Sequence, residues 1–316
     1  MEAISAVVSH LRQQMSKVIV GQADMLDQCV LALLCRGHAL LEGVPGIGKT
    51  LTVKALAGVL RLQFQRVQAT SDLMPADILG TSVLNLATST FSFHAGPVFT
   101  DLLLVDEINR MPPRTQAALL ECMEEKQVTV DGARHELSPF FTVFATQNPI
   151  EFEGTYPLPE AQLDRFLLKI DVPYPSASDE AQILSRFQQG FDSHDLGRLN
   201  LDPLDPALLT RAREEIRAAV RVEESLLDYI VRVVRATRES PALSLGSSPR
   251  AAVFVMAAAK ATAAMDARDY VIPDDVKSAA LPVLRHRMVL KPEAELEGLT
   301  TDQVIQDLLR TVEVPQ

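Results

Sequence analysis

"HALLEGVPGIGKTLTVKALAGVL", residues 38–60, is a short apolar run, a glycine-rich turn and a helical pattern in direct succession. The apolar "HALLE" has the length and composition of a buried strand, and "LTVKALAGVL" has helical spacing. Between them "GVPGIGKT" (43–50) fits G-x-x-x-x-G-K-[ST]. Glycines there let backbone amides turn inward around phosphates, and the helix N-terminus adds its positive dipole. The candidate cradle is Gly43, Val44, Pro45, Gly46, Ile47, Gly48, Lys49, Thr50 and Leu51. Lys49 would reach β- and γ-phosphates, and Thr50 would hold Mg²⁺ through its hydroxyl.

Outward from this stretch, four more apolar runs read as strands: "LQFQRVQ" (62–68), "DLLLVDE" (101–107), "FFTVFAT" (140–146) and "FLLKIDV" (166–172). Alternation of such runs with helical patterns predicts an α/β sandwich around a five-stranded, mostly parallel sheet. After "VPYPS" (172–176) no strong strand candidate follows, and 179–190, 206–219, 223–239, 249–265 and 273–285 read as helices. The expected division is an α/β domain over 1–175, opened by an amphipathic helix, and a helical domain over 176–316. Two segments interrupt the first domain. Residues 80–99 suggest a small hairpin, and "QVTVDGARHEL" within 127–140 reads as a hairpin with an Asp-Gly turn.

"LLLVDE" ends in Asp106 and Glu107, at the strand end where open α/β sheets bind ligands. Asp106 is placed to act through Mg²⁺ or its water, Glu107 to polarise a water against the γ-phosphate. "FFTVFATQNP" (140–149) ends in Gln147–Asn148. An asparagine amide there can bond both water and γ-phosphate, or simply make a turn before Pro149.

Composition narrows the class. Apolar residues make up 47% and charged residues 22%, ordinary for a soluble globular chain and against disorder. No apolar run has the length of a membrane span, and no signal peptide opens the chain, so a cytoplasmic location is expected. Cys29, Cys35 and Cys122 form no pair and no metal-ligand spacing. A net charge of −11 lacks the footprint of a phosphate-tracking protein. No Lys or Arg stands between Arg66 and Arg110, so the first insert carries no cation and a nucleic-acid motor fits poorly.

"GVPGIGKT", "LLLVDEINRMPPRTQAALLECMEE", "ATQNPIEFEGTYPLPEAQLDRF" and "SSPRA", in that order, together resemble the MoxR branch of the AAA+ ATPases. The likeness runs from about "VIVGQ" (18–22) to "HRMVLKPEAELEG" (286–298). It implies an AAA+ core with a C-terminal helical lid, ATP and Mg²⁺ as substrate and metal, and a homo-oligomeric ring, usually a hexamer. It implies Lys49 and Thr50 as Walker A, Asp106 and Glu107 as Walker B, and Asn148 as sensor 1. Arg250, at the start of a lid helix, matches sensor 2, touching nucleotide so that lid angle follows phosphate occupancy. Arg165, which alone reads as a surface charge beside Asp164, matches the arginine finger lent to a neighbouring subunit. Segments 80–99 and 127–140 are implied to face a central pore as helix-2 insert and pre-sensor hairpin. Val20 and Gly21, with Ile19, are implied to lie beside the adenine, although core packing explains them equally well. Arg110 and Arg114 are further interface candidates, and Phe91 and Phe93 are pore or local packing residues. The implied work is chaperone-like remodelling of a client, with a von Willebrand factor A-domain protein as partner and metal-cofactor insertion in some relatives. A chelatase motor subunit is the neighbouring alternative.

Overall fold

Alternate residues of each central strand feed opposite faces of one sheet, which is why the apolar runs are continuous rather than half polar. The structure, a computed structural model, describes residues 1–86, 89–149, 154–193 and 195–315. Residues 87–88 of the first insert and 150–153, between Asn148 and Arg165, lie outside the described residues.

The sheet contains β1 (Ala39–Glu42), β2 (Phe64–Gln68), β5 (Leu102–Asp106), β8 (Thr142–Gln147) and β9 (Leu168–Asp171). Its order is β2-β5-β8-β1-β9, every pair parallel. These are the five runs expected from sequence. Leu41, Leu102, Leu104 and Phe144 pack into one layer with α1 (Glu2–Met15), α2 (Ala23–Leu34) and α3 (Lys49–Val59). Leu40, Leu103, Val105, Val143 and Ala145 pack into the other, with Leu119, Leu120 and Met123 of α5 (Pro113–Glu125).

After α4 (Pro75–Leu79), β3 (Gly80–Asn85) pairs antiparallel with β4 (Thr90–Ala95). Beyond α5, β6 (Gln127–Val130) pairs with β7 (Ala133–Glu136). Asp131 and Gly132 between them both take positive φ (50° and 79°), the two-residue hairpin turn expected of Asp-Gly. His135 of the second hairpin stacks on Phe93 of the first, ring centroids 4.0 Å apart. Phe93 is thus packed, whereas Phe91 is exposed.

A four-residue helix, α6 (Glu160–Leu163), leads into β9. Past the sheet come α7 (Ala177–Gln188), α8 (Pro206–Ala219), α9 (Glu224–Glu239), α10 (Pro249–Met265), α11 (Pro273–Leu284), α12 (Pro292–Leu296) and α13 (Thr301–Thr311). One expectation needs correction here. The helical region also contains a two-stranded antiparallel pair, β10 (Leu243–Leu245) and β11 (Val289–Leu290). Strands of three and two residues, 44 residues apart, leave no periodicity to read. The N-terminal helix α1, grouped by sequence with the α/β domain, packs on α8 and α10 as well as α3. Glu215 of α8 accepts the backbone N–H of Ala3 (3.2 Å) and Ile4 (3.1 Å), capping α1 from another element. Among the described residues no helix is long and apolar enough to cross a membrane. The three cysteines are free, and among the described residues no group of metal-binding side chains forms.

His38 fastens the N-terminal edge of the sheet. Its buried ring accepts the Val143 N–H at Nδ1 (2.9 Å), so Nε2 carries the proton and donates to Met123 O (3.1 Å). Burial pulls its pKa down to about 4. An unfolded histidine protonates near 6.5, so stability from this group is complete above that pH and is lost as pH falls toward 4. The loss reaches about 3 kcal/mol. Denaturant unfolding at about pH 7 and about pH 4.5 should show that drop, and His38→Gln, which keeps a donor and an acceptor, should flatten it. Parallel losses in both proteins would refute the assignment to His38.

Candidate functional site

Strand order brings the site together. β8 lies between β1 and β5, so its C-terminal end sits between the glycine loop after β1 and the carboxylates ending β5. All three strands point the same way, and their C-terminal ends open onto one cavity of about 740 Å³.

Gly46 and Gly48 hold φ of 85° and 93°, a backbone a side chain would strain, and α3 starts at once from Gly48. Residues Pro45 to Leu51 line the cavity. Gly43 and Val44 stand behind it, their carbonyls accepting from Lys49 Nζ. Burial pulls Lys49 below the ordinary lysine range, opposed by the charges of Asp106, Glu107 and Glu42.

Asp106 is buried. Its Oδ1 accepts from Thr146 Oγ1 at 3.2 Å, and its Oδ2 from Arg66 Nε at 2.6 Å. Glu107 takes a left-handed backbone (φ 57°), held there by its N–H bond to Thr146 Oγ1 at 2.9 Å. Gln68 Nε2 donates to Glu107 Oε2 at 3.0 Å, and Arg110 Nε reaches the same oxygen at 3.0 Å. Arg110, read as an interface candidate, therefore contacts the carboxylate of its own chain; Arg114 is exposed. Asn148 is buried in the cavity wall beside these groups.

The far wall is apolar. Ile19, Val20 and Ile47 line it together with Tyr174 and the α7 residues Ile183 and Phe187. None of the α7 residues is fully buried; Ile183 and Phe187 turn to the cavity, and Leu184 is exposed. Arg186 ties α7 to the N-terminal segment through the carbonyls of Lys17 (3.0 Å) and Ser16 (3.1 Å). Val20 lines the cavity, while Gly21 does not. Its role is close approach: a Cβ there would meet Asp179 Cγ at 2.4 Å, so only glycine lets α7 begin against this loop.

Arg165 and Arg250 are elsewhere. Arg165 precedes β9, whose Leu168 is in register with Ala39 at the start of β1, so it lies beyond the N-terminal edge of the sheet. Four residues of strand, roughly 13 Å, separate that edge from the loop after Glu42. Arg165 Nε pairs with Glu124 Oε2 at 2.8 Å, and Arg250 Nη2 pairs with Glu124 Oε1 at 2.5 Å. Bonds from Arg250 and then Arg165 hold the Glu124 carboxyl below its usual range. The expectation that Arg250 touches its own chain's nucleotide is corrected: α10 presents it to the opposite edge. Buried Arg287 braces the pair, donating to Asp164 Oδ1 (2.7 Å) and lying over Phe254, one helical turn beyond Arg250 (4.9 Å).

Sequence reasoning missed Arg66, Gln68, Thr146, Glu124 and the α7 wall. Strand alternation carried part of the signal, since Arg66 and Gln68 share one face of β2. The donor set fits Mg²⁺ with a nucleotide. Thr50, Asp106 and Glu107 supply hard oxygens, Lys49 a cation, and the loop a turn of backbone in which Gly46 and Gly48 present no β-carbon.

Comparison with known proteins agrees with this geometry. Residues 38–168 match the profile of the ATPase family associated with various cellular activities (AAA), and 235–308 match the AAA lid domain. The chain is 42% identical to Chaperone MoxR1 of Mycobacterium tuberculosis, covering 100% of this chain and 85% of that protein. It is 45% identical to the uncharacterized Bacillus subtilis protein YeaC, over 96% of this chain and 93% of the relative. A crystal structure from Cytophaga hutchinsonii superposes with a TM-score of 0.89 at 39% identity, covering 100% of this chain and 98% of that one.

Proposed function

The chain belongs to the MoxR family of AAA+ ATPases, and from that premise we propose that it hydrolyses ATP at interfaces between copies of itself in a ring, remodelling a client protein. The observation that carries this reading is the convergence of Arg165 and Arg250 on Glu124, at the sheet edge opposite the glycine loop. Neither arginine can serve its own nucleotide from there. A neighbouring copy stacked head to tail brings this edge over its own cavity, and repetition of that contact closes a ring, which we take to be a hexamer.

Within one subunit the loop amides and Lys49 bind the phosphates, and the wall of Ile19, Val20, Tyr174 and Phe187 encloses the base. Thr50 and Asp106 would hold Mg²⁺, which when bound offsets charge on the β- and γ-phosphates. Glu107 takes the proton from the attacking water, and Asn148 orients that water against the terminal phosphate. Arg165 and Arg250 of the adjacent copy leave Glu124 and stabilise charge developing on the transferred group.

The client side rests on the first hairpin, where Val83, Leu84, Leu86 and Phe91 are exposed large hydrophobics on a cation-free segment. Chaperone MoxR1 carries the chaperone role in its name, and the proposed partner here is likewise a protein, of the von Willebrand factor A-domain type that the family resemblance implies. The test is assembly and capture with Glu107→Gln. It should form ATP-dependent rings and retain a protein partner that Phe91→Asp releases. A chain that hydrolyses ATP as a monomer, or whose hydrolysis single-stranded DNA strongly stimulates at physiological salt, would sink the proposal.

A further inference from the structure

We propose that Arg66 is a ligand for the terminal phosphate of the nucleotide, resting on Asp106 and released when that carboxylate binds a divalent cation. The inference rests on the nucleotide-site reading and goes beyond it, assigning a cis cation distinct from Lys49 and from the two arginines at the opposite edge.

Arg66 and Gln68 project from alternate positions of β2 into the cavity, beside Lys49, Glu107 and Asn148. Arg66 Nε lies 2.6 Å from Asp106 Oδ2, while Thr146 engages Oδ1. Arg66 therefore covers the oxygen that a metal, or a water bound to it, would approach. A guanidinium and a divalent cation on one carboxylate oxygen repel each other strongly in a partly buried site. Arg66 has to withdraw, and its side chain, 53% exposed on a long flexible stem, is free to do so.

Where it goes follows from what else in the cavity is negative. Glu107 already receives Gln68 and Arg110, Glu42 behind the loop pairs with Lys169, and Glu180 belongs to α7 rather than to the strand ends. The anion remaining at this wall is the phosphate chain, and an arginine fork matches phosphate oxygens better than an ammonium does. The stem rises at the Walker B end of the cavity, so its reach favours the terminal phosphate over those cradled by the loop. An ordinary surface ion pair would add little and signal nothing. Here one partner is the buried carboxylate of the proposed metal site, so forming and breaking the pair tracks the nucleotide.

The experiment measures fluorescent-nucleotide displacement by ATPγS and by ADP across a Mg²⁺ titration, for wild type, Arg66→Ala, Arg66→Gln and Arg66→Lys. Arg66→Ala should lower the preference for ATPγS over ADP by about tenfold or more, the loss of a charge-assisted phosphate contact. It should also lower the Mg²⁺ concentration needed for half-maximal binding, since Asp106 loses its competitor. Arg66→Lys should keep the wild-type Mg²⁺ requirement and recover only part of the discrimination. Unchanged discrimination in Arg66→Ala overturns the proposal, as does an unchanged Mg²⁺ requirement. Arg66→Gln replaces the alanine variant if that one fails to fold. Lys49→Ala separates the premises: if it binds nucleotide as wild type does, the nucleotide site itself is misassigned.

Discussion

Glu107→Gln is expected to lower the turnover number for ATP by about 10²- to 10⁴-fold while leaving nucleotide affinity close to wild type. The replacement amide is the same size and its oxygen can still accept the bond from Gln68, while the half-exposed ion pair with Arg110 is given up. Its backbone N–H keeps the Thr146 contact that sets the left-handed turn. Lys49, Thr50 and Asp106 are untouched, so binding persists. What disappears is a carboxylate able to take a proton from water. Phosphate release and fluorescent-nucleotide binding, measured on one preparation, check both halves. Near-wild-type hydrolysis would mean another group is the base, and a matching fall in affinity would mean Glu107 serves binding instead.

Arg165→Ala is expected to be as damaging for a different reason. An arginine supplied to a transferring phosphoryl group is worth on the order of 10³- to 10⁵-fold in turnover. Because Arg165 lies at the far edge of the sheet, the loss should be repairable by a second chain. Mixing Arg165→Ala with Lys49→Ala, each inactive alone, creates interfaces with an intact loop on one side and an intact arginine on the other. In an equal mixture about a quarter of head-to-tail interfaces are of this kind, and hydrolysis should recover toward that fraction. Arg250→Ala mixed with Lys49→Ala should recover likewise, since Glu124 holds both arginines at one edge. Demonstrated co-assembly without recovery would place both arginines outside the reaction.

Legibility in the sequence followed the range of the interactions involved. The glycine loop, its strand and its helix are contiguous, and backbone φ at Gly46 and Gly48 together with the α3 N-terminus build the candidate cradle from the neighbouring residues Gly43 to Leu51. The five strands were legible because a sheet covered on both faces needs unbroken apolar runs. Asp106, Glu107 and Asn148 could be placed because each ends such a run. Thr146 could not, for a threonine inside an apolar strand signals nothing until β8 is set beside β5. The sequence marks 179–190 only as a helix, yet Ile183 and Phe187 wall the cavity, because Gly21 and Arg186 draw that helix over it.

From the chain alone came the glycine loop, the class of sheet and the candidate residues at the strand ends. These depend on local backbone geometry and on side-chain periodicity, both written residue by residue. The tertiary structure decided which edge each cation occupies: Arg66 on Asp106 inside the cavity, Arg165 and Arg250 together on Glu124 outside it. The physical reason is the parallel crossover. It sends the chain back to the opposite edge between successive strands, so residues before β9 lie a full strand length from residues after β1, however similar their local sequence.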